Sequence, residues 1–558
     1  MRAWGIPIAV VSAGLLGGSA FAQIPPSASP GRVEERFKPP VVPQAKPEEP
    51  LPQPQPVTPS AAELAAEFTL KSVSVDGSTV FSSADFAPLY RPLLGKPVTL
   101  LDMYRVRDAI TAKYRSAGYT LSQAIIPPQR IEDGVVHIQV VEGYIGKVSF
   151  EGDVDDSRGL LSATARKIEA SKPLRQQYLE RYTLLLSDLP GVEVNTVLKP
   201  SPDTPAAADL VIILKRHPLA GFMELDNRGS RAIGPLEASA GIDLNGILGL
   251  DEQTSLLFAT AFPTRELRYV AVRHTETLNA EGWRLALSAS DSLSKPGGAI
   301  SALSARGTGT IVSAFLTAPV LRSRARSLKL EAGFTYQNTR TDLLSSLSSR
   351  DRVRFGTIRA SYDFSDSALG RSASTLIQAE VDHGFDVFGA TRTGSANLSR
   401  ANGDSTYTLV AGEVTRVQGI ASQFSVLLSA TGQYSFDSLL SSQQFGLGGK
   451  RFGRGYEPSE LTGDNGVGFS FELRQALPYP QFGLDAQAYA FYDVGKVWTK
   501  TPLAGQLPSE SLSSAGVGVR LKFQHFSAEF ELAKPLTHDI ASRGNRHVRP
   551  LFSLSTSF

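Results

Sequence analysis

From Leu219 to Phe558, hydrophobic and polar residues alternate in runs about ten residues long, broken by turns rich in Gly, Ser, Asp and Asn. In Val467-Gly468-Phe469-Ser470-Phe471-Glu472-Leu473-Arg474 the apolar side chains hold one parity and Gly, Ser, Glu and Arg the other. Val517-Gly518-Val519-Arg520-Leu521-Lys522-Phe523 repeats the pattern. The last run sets Val548, Phe552, Leu554, Thr556 and Phe558 on one face and Arg549, Ser553, Ser555 and Ser557 on the other. A period of two places successive side chains on opposite faces of a strand. Alternation alone fits a soluble sandwich as well as a membrane barrel. Run length and number favour the barrel. A tilted strand needs about 9–11 residues to cross hydrocarbon, and the chain holds about sixteen such runs, near 21 residues per strand and turn. Lipid tolerates no open sheet edge, so the sheet must close. With the polar parity inward, sixteen strands enclose a water-filled lumen rather than a packed core. The expected fold class is mainly β: a C-terminal transmembrane β-barrel of about 16 antiparallel strands over 217–558.

Ahead of it the period changes. Val73-Ser74-Val75-Asp76-Gly77 recurs 75 residues on as Val148-Ser149-Phe150-Glu151-Gly152, and Val136-His137-Ile138 recurs at that offset as Val211-Ile212-Ile213. Between these strand-like ends lie two helical stretches per copy. Met103, Val106, Ile110 and Tyr114 have helical spacing, and Gly118 supplies the left-handed stop. In the second copy Leu179, Tyr182, Leu185, Leu186 and Leu189 form the apolar side, and Pro190-Gly191 closes it. Two tandem α/β modules, 67–143 and 144–216, are expected, each strand–helix–helix–strand–strand.

The first 22 residues read as a signal peptide: Arg2, an apolar stretch from Ile6 to Leu16, then Ala20-Phe21-Ala22, with Gln23 as the expected mature start. Residues 23–66 are proline-rich, densest at Leu51-Pro52-Gln53-Pro54-Gln55-Pro56, and favour an extended, solvated chain. One short helix fits at 31–38, though two turns alone are marginal in water. A plain tether is the simpler expectation for this stretch, and docking of the short helix elsewhere is the alternative.

Composition narrows the chemistry. The 558 residues contain 56 Lys+Arg, 54 Asp+Glu and no Cys. No disulfide, thiol catalysis or cysteine-ligated metal is available, and the near-neutral balance argues against nucleic acid as a partner. The seven His are scattered without zinc spacing, and no Gly-x-Ser-x-Gly elbow occurs. No catalytic residue, metal or cofactor is expected, so the chain does not read as an enzyme.

One loop does not suit a simple porin. Within 435–466 lies Leu447-Gly448-Gly449-Lys450-Arg451-Phe452-Gly453-Arg454-Gly455-Tyr456-Glu457, Gly-rich and basic. It lacks the spacing of a phosphate loop. It fits either an exposed surface loop or one folded into the lumen, where Arg454 meets a wall carboxylate. In Leu484–Asp493, parity turns Asp485, Gln487, Tyr489, Phe491 and Asp493 inward. Asp493 is the candidate partner, because an inward carboxylate can take a guanidinium bidentately.

These segments resemble the transporter component of two-partner secretion, the haemolysin/haemagglutinin secretion-activation family of the outer-membrane barrel-assembly superfamily. The resemblance rests on Gly118-Tyr119 with Pro127-Pro128-Gln129, Val140–Ile145, Leu179–Gly191 (with Leu179, Arg181, Leu185, Pro190 and Gly191 as its helix motif) and Asp226–Ser230. It rests most on Gly453-Arg454-Gly455-Tyr456 and Phe491-Tyr492-Asp493-Val494-Gly495. It implies that Arg454 locks to Asp493 inside the barrel, with Gly453 departing from the commonest motif, which has Val there. It implies that the modules are polypeptide-transport-associated (POTRA) domains in the periplasm of a Gram-negative bacterium. Phe558 resembles the C-terminal signal of outer-membrane barrels. The implied partners are a large secreted β-helical protein (an adhesin, haemolysin or similar), outer-membrane lipid and the barrel-assembly machinery. The implied function is ATP-independent secretion of an unfolded partner. An outer-membrane assembly or insertion factor of the same superfamily is the alternative.

Overall fold

The computed structural model describes residues 25–37, 42–46 and 67–558, apart from 203, 205 and 504. The expected signal peptide and most of the proline-rich stretch lie outside the described residues. Pro26–Ala28 and Pro30–Arg32 are single 3-10 turns leading into a short helix, α1 (Val33–Phe37).

The first module runs β1 (Glu67–Thr69), β2 (Ser72–Asp76), α2 (Ser83–Tyr90), β3 (Pro97–Thr99), α3 (Leu100–Ser116), β4 (Gln123–Ile125) and β5 (Val135–Val141). Both helices start at capping boxes, Ser82 with Asp85 and Thr99 with Asp102, which satisfy the orphan amides of a helix N-terminus. Helix α3 buries Met103, Val106, Ile110 and Tyr114 against a sheet of order β2-β5-β4. Gly118, at φ +86°, ends it. A small ribbon, β1 against β3, is added to the expected order. The second module repeats the topology with β6 (Tyr144–Gly152), α4 (Leu160–Glu169), α5 (Gln176–Ser187), β7 (Val192–Pro200) and β8 (Ala207–Arg216). Its sheet order is β6-β8-β7, β6 parallel to β8 and β7 antiparallel.

The remaining strands close into one barrel of sixteen antiparallel strands, the last (Arg549–Ser557) pairing with the first (Leu219–Asp226). Phe558 completes the seam. Its amide donates to Gly221 O at 3.0 Å, Gly221 N donates back at 3.0 Å, and its ring lies where a Cβ on residue 221 would clash at 2.5 Å. Three strands far exceed ten residues: Arg306–Arg322, Arg326–Leu343 and Ser346–Asp366, with 17, 18 and 21. Their extra length is polar, so the hairpins continue past the apolar belt instead of ending with it. Val312, Ile358, Phe469, Phe471 and Val517 are exposed on the outer face. Thr335, Gln337, Thr357, Ser470 and Glu472 are buried on the inner one.

Candidate functional site

The bore of the barrel is not an empty wet passage: two segments fill it. The first is the loop between the strands Phe424–Ser435 and Asn465–Tyr479. Its limbs pair as a ribbon, Phe445–Leu447 against Leu461–Gly463. The ribbon sits against glycines on the wall. A Cβ on Gly466 would lie 2.0 Å from the Phe445 ring, and one on Gly495 would lie 2.6 Å from Leu447. Gly495 is therefore a seat for the loop. Leu447, Phe452, Tyr456, Leu461, Val497, Leu512 and Ile540 form a small core under it.

At the loop tip Arg454 meets Asp493. Nε and Nη2 of Arg454 donate to the two Asp493 oxygens at 3.0 and 2.9 Å, a bidentate pair. The backbone amides of Gly453 and Arg454 add bonds to the same carboxylate at 3.2 and 3.0 Å. Gly453 has φ +81°, and a Cβ there would lie 2.7 Å from Leu512. That conformation aims both amides at Asp493 and disfavours a β-branched residue. Gly455 threads a second gap, 2.8 Å from Ser514 Cβ were it to carry a side chain. The Tyr456 hydroxyl accepts from the amides of Thr537 and His538, both at 3.2 Å, tying the tip to the loop that leads into the last strand, Arg549–Ser557. The guanidinium also lies 3.6 Å from the centre of the Phe491 ring.

The pair is part of a larger network that parity alone did not single out. Arg454 Nη1 donates to Glu472 at 2.6 Å and stands 3.8 Å from Glu531. Glu472 also takes Arg474 at 2.7 Å and Arg520 at 2.6 Å. Arg228 stands 3.3 Å from both Glu529 and Glu531, with the Tyr489 hydroxyl 2.7 and 2.9 Å from the same two carboxylates. Arg228, Arg454, Arg474 and Arg520 thus face Glu472, Asp493, Glu529 and Glu531, equal in number. Asp493 is 0% exposed, so an unmatched charge here would be costly. The only advance signal was inward parity on neighbouring strands. Beside the tip, Lys450 pairs with Glu224 at 2.8 Å and Arg451 with Glu413, so the loop is tied to separate walls.

The second segment is Pro25–Phe37, where docking replaces the plain tether. Val33 and Ala28 pack with Ile233 and Tyr269, and Phe37 stacks on Tyr269 at 5.1 Å. Arg32 donates to Gln444 O and, at 3.0 Å, to Ser459 Oγ, joining this segment to the loop. Arg36 pairs with Glu237 on the wall. Residues 42–46 then follow the opposite rim, where the amides of Gln44 and Ala45 donate to Asp363 at 2.7 and 3.1 Å.

A family profile described as "Haemolysin secretion/activation protein ShlB/FhaC/HecB" matches residues 209–521, more than half the chain. The chain belongs to the haemolysin secretion/activation family. A ShlB-type POTRA profile matches residues 68–143. The heme/hemopexin transporter protein HuxB of Haemophilus influenzae (strain 86-028NP) is 23% identical over 462 residues, covering 82% of this chain and 81% of its own. The outer membrane transporter CdiB of Escherichia coli is 24% identical over 502 residues, covering 84% and 79%. The solved structure of CdiB from Escherichia coli superposes with TM-score 0.69 at 21% identity, over 90% of this chain and 93% of that one, which shows a shared fold. The chain is an outer-membrane two-partner secretion transporter with its POTRA domains in the periplasm.

The side on which the POTRA domains dock is thus the periplasmic end of the transporter. Arg181 reaches the barrel turns, donating to Pro319 O at 3.1 Å and Val320 O at 3.3 Å, and pairs with Glu281 at 3.2 Å. Lys167 and Tyr182 also reach Glu281, both at 2.9 Å. Asp188 takes Arg322 bidentately at 2.7 and 2.8 Å. Leu179 and Leu185 are buried in the second POTRA core, and the Leu185 tip lies 2.5 Å from where a Cβ on Gly282 would stand. Pro190 precedes Gly191, whose φ of +64° lets the turn pass His217 O. The helix motif of the family therefore joins the POTRA domain to the barrel. Burial pushes the Glu281 carboxyl up, but hydrogen bonds from Lys167, Tyr182 and Arg181 outweigh it and hold it below the usual carboxylate range.

Proposed function

We propose that this structure is the resting, closed transporter, and that a large exported β-helical partner, unfolded in transit, displaces the N-terminal segment to pass. One observation carries the reading: the bore holds two separable elements, each docked by side-chain contacts rather than paired into the sheet of the wall. Pro25–Phe37 is attached through Arg32, Arg36 and a small apolar face. The Arg454 loop is held far more strongly, and serves as the fixed wall past which the partner moves. The partner first meets the POTRA domains. Among the described residues, strand β7 pairs only with β8, so its other edge is open along Val192–Pro200, with Val197 and Leu198 exposed beside it. Such an edge takes an extended peptide by main-chain hydrogen bonds with little demand on sequence. The chain performs no catalysis of its own and uses no nucleotide or nucleic acid. Direction comes from the partner folding outside, which disfavours return. The barrel-assembly machinery inserts the barrel into lipid.

The test uses a cysteine pair, unique in a chain that has none. A Cβ on Gly31 would stand 2.5 Å from Ser442 Cβ, so a small shift brings Gly31→Cys and Ser442→Cys to disulfide range. With the neighbouring large exported protein co-expressed, oxidation should stop its release into the medium and reductant should restore it. Equal release in both states shows that Pro25–Phe37 stays in place during transport, and the proposal fails.

A further inference from the structure

We propose that the outer wall at the extracellular rim, on the three longest strands, binds the phosphorylated head group of an outer-leaflet lipid. Directly paired residues share a face, so the register sets the composition of this wall. Val312 pairs with Tyr336, Asn338 with Arg352, and Arg340 with Arg350. Val312 is exposed on the lipid side, so Tyr336, Asn338 and Arg340 of Arg326–Leu343 face outward, as do Arg350, Arg352 and Arg354 of Ser346–Asp366. Arg306 joins them opposite Asp342.

The carboxylates on this face do not balance it. Asp342 is taken by Arg340 at 2.7 Å, and Asp386 by Arg392 at 3.1 Å. Arg350 stands directly across from Arg340, a like-charge pairing that costs stability unless an anion lies between. Among the described residues, no side-chain hydrogen bond or ion pair holds Arg350 or Arg352. Arg354 is different. It is buried, and donates to Gln337 O at 2.9 Å, Val353 O at 2.8 Å and Phe388 O at 3.4 Å, so its task is structural.

What Arg354 holds is an apolar flap. After the strand Ala373–Gly384 the chain folds back over the outer wall, with Phe385 N on Arg354 O at 2.7 Å and Thr391 N on Arg352 O at 2.9 Å. Phe385 and Phe388 lie 6.3 and 6.2 Å from the Phe334 ring, and Phe388 is still 75% exposed. Ile358 lies on the same outward parity one to two turns of pleat toward the bilayer and is 68% exposed. Unpaired guanidinium groups thus sit just above lipid-facing aromatic and aliphatic side chains. That order, charge outside and hydrocarbon inside, matches a phosphate attached to acyl chains. A free phosphate would use the arginines and ignore the flap, and a porin-type rim with no ligand would not need opposed arginines.

The experiment uses the full-length transporter in mild detergent, with fluorescent bisphosphorylated lipid A as probe, the same lipid stripped of its phosphates as control and inorganic phosphate as competitor. Wild type should prefer the phosphorylated lipid by at least about tenfold, the preference shrinking as salt rises. Arg350→Gln/Arg352→Gln should erase it, with heat-modifiable gel migration confirming a folded barrel. Phe388→Ser should weaken both lipids and leave the phosphate preference intact. Retention of the preference by the double arginine variant, or none in the wild type, overturns the proposal. Complete displacement by millimolar inorganic phosphate overturns it too, in favour of a free-anion site.

Discussion

Arg454 carries a full charge into a bore where water is largely replaced by protein, and it does so beside three carboxylates, Asp493, Glu472 and Glu531. Truncating one member of such a buried set strands the others, typically at a cost of about 3–5 kcal/mol. Arg454→Ala is therefore expected to release the loop tip and reduce secretion to background while the barrel remains inserted at normal level. Partner in the medium per transporter in the outer membrane measures this, and full secretion would remove the loop from the mechanism. Arg454→Lys keeps the charge but loses the bidentate fork, so its secretion should fall between the two. Gly453→Val forces a β-branched side chain to φ +81° against Leu512, a strain of about 1–3 kcal/mol. The loop of that variant should be cut faster by protease added to intact cells. At this scale parity turned Asp493 inward as a candidate partner, and the family resemblance implied its lock with Arg454. Parity did not distinguish Glu472 or Glu531 from other inward polar residues, because their partners come from strands whose neighbours are set only on closure.

Among elements, α5 of the second POTRA domain is the latch to the barrel, through Arg181, Tyr182 and Asp188. Because the Glu281 carboxyl titrates below its ordinary value of about 4.3, the docked state gains stability that is complete above that pH. The gain is lost as pH falls through the lowered value. Docking should therefore loosen on acidification through that lowered value and, at neutral pH, in Glu281→Gln. Hydrogen exchange of α5 in the detergent-solubilised transporter measures both, and unchanged protection in the variant would assign the latch to Asp188–Arg322 alone. The helices themselves were legible in advance, because capping boxes and terminal glycines are local. Helix α1 was not. Its five residues cannot hold a helix in water, and the surface that stabilises it, around Tyr269 and Ile233, lies about two hundred residues away.

For the molecule as a whole, two fillers in one bore have unequal attachments. Deleting residues 25–37 should raise single-channel conductance in planar bilayers and leave the loop in place. Combining the deletion with Arg454→Ala should raise it further. A deletion variant with wild-type conductance would show that the loop alone closes the bore.

By itself the sequence determined what depends on near neighbours: sixteen alternating strands, two tandem α/β modules, the inward parity of Asp493 and the terminal Phe558. Each follows from a repeat of two or 3.6 residues, a cap or a turn, physics that acts within a few positions. The tertiary structure alone decided that the lumen is filled, that Pro25–Phe37 docks inside it, which carboxylates surround Arg454, and that opposed arginines stand on the outer rim. Those outcomes require contacts such as Arg32 with Gln444 or Arg36 with Glu237, between residues hundreds of positions apart. Their free energy exists only once the sheet has closed and brought the groups into register.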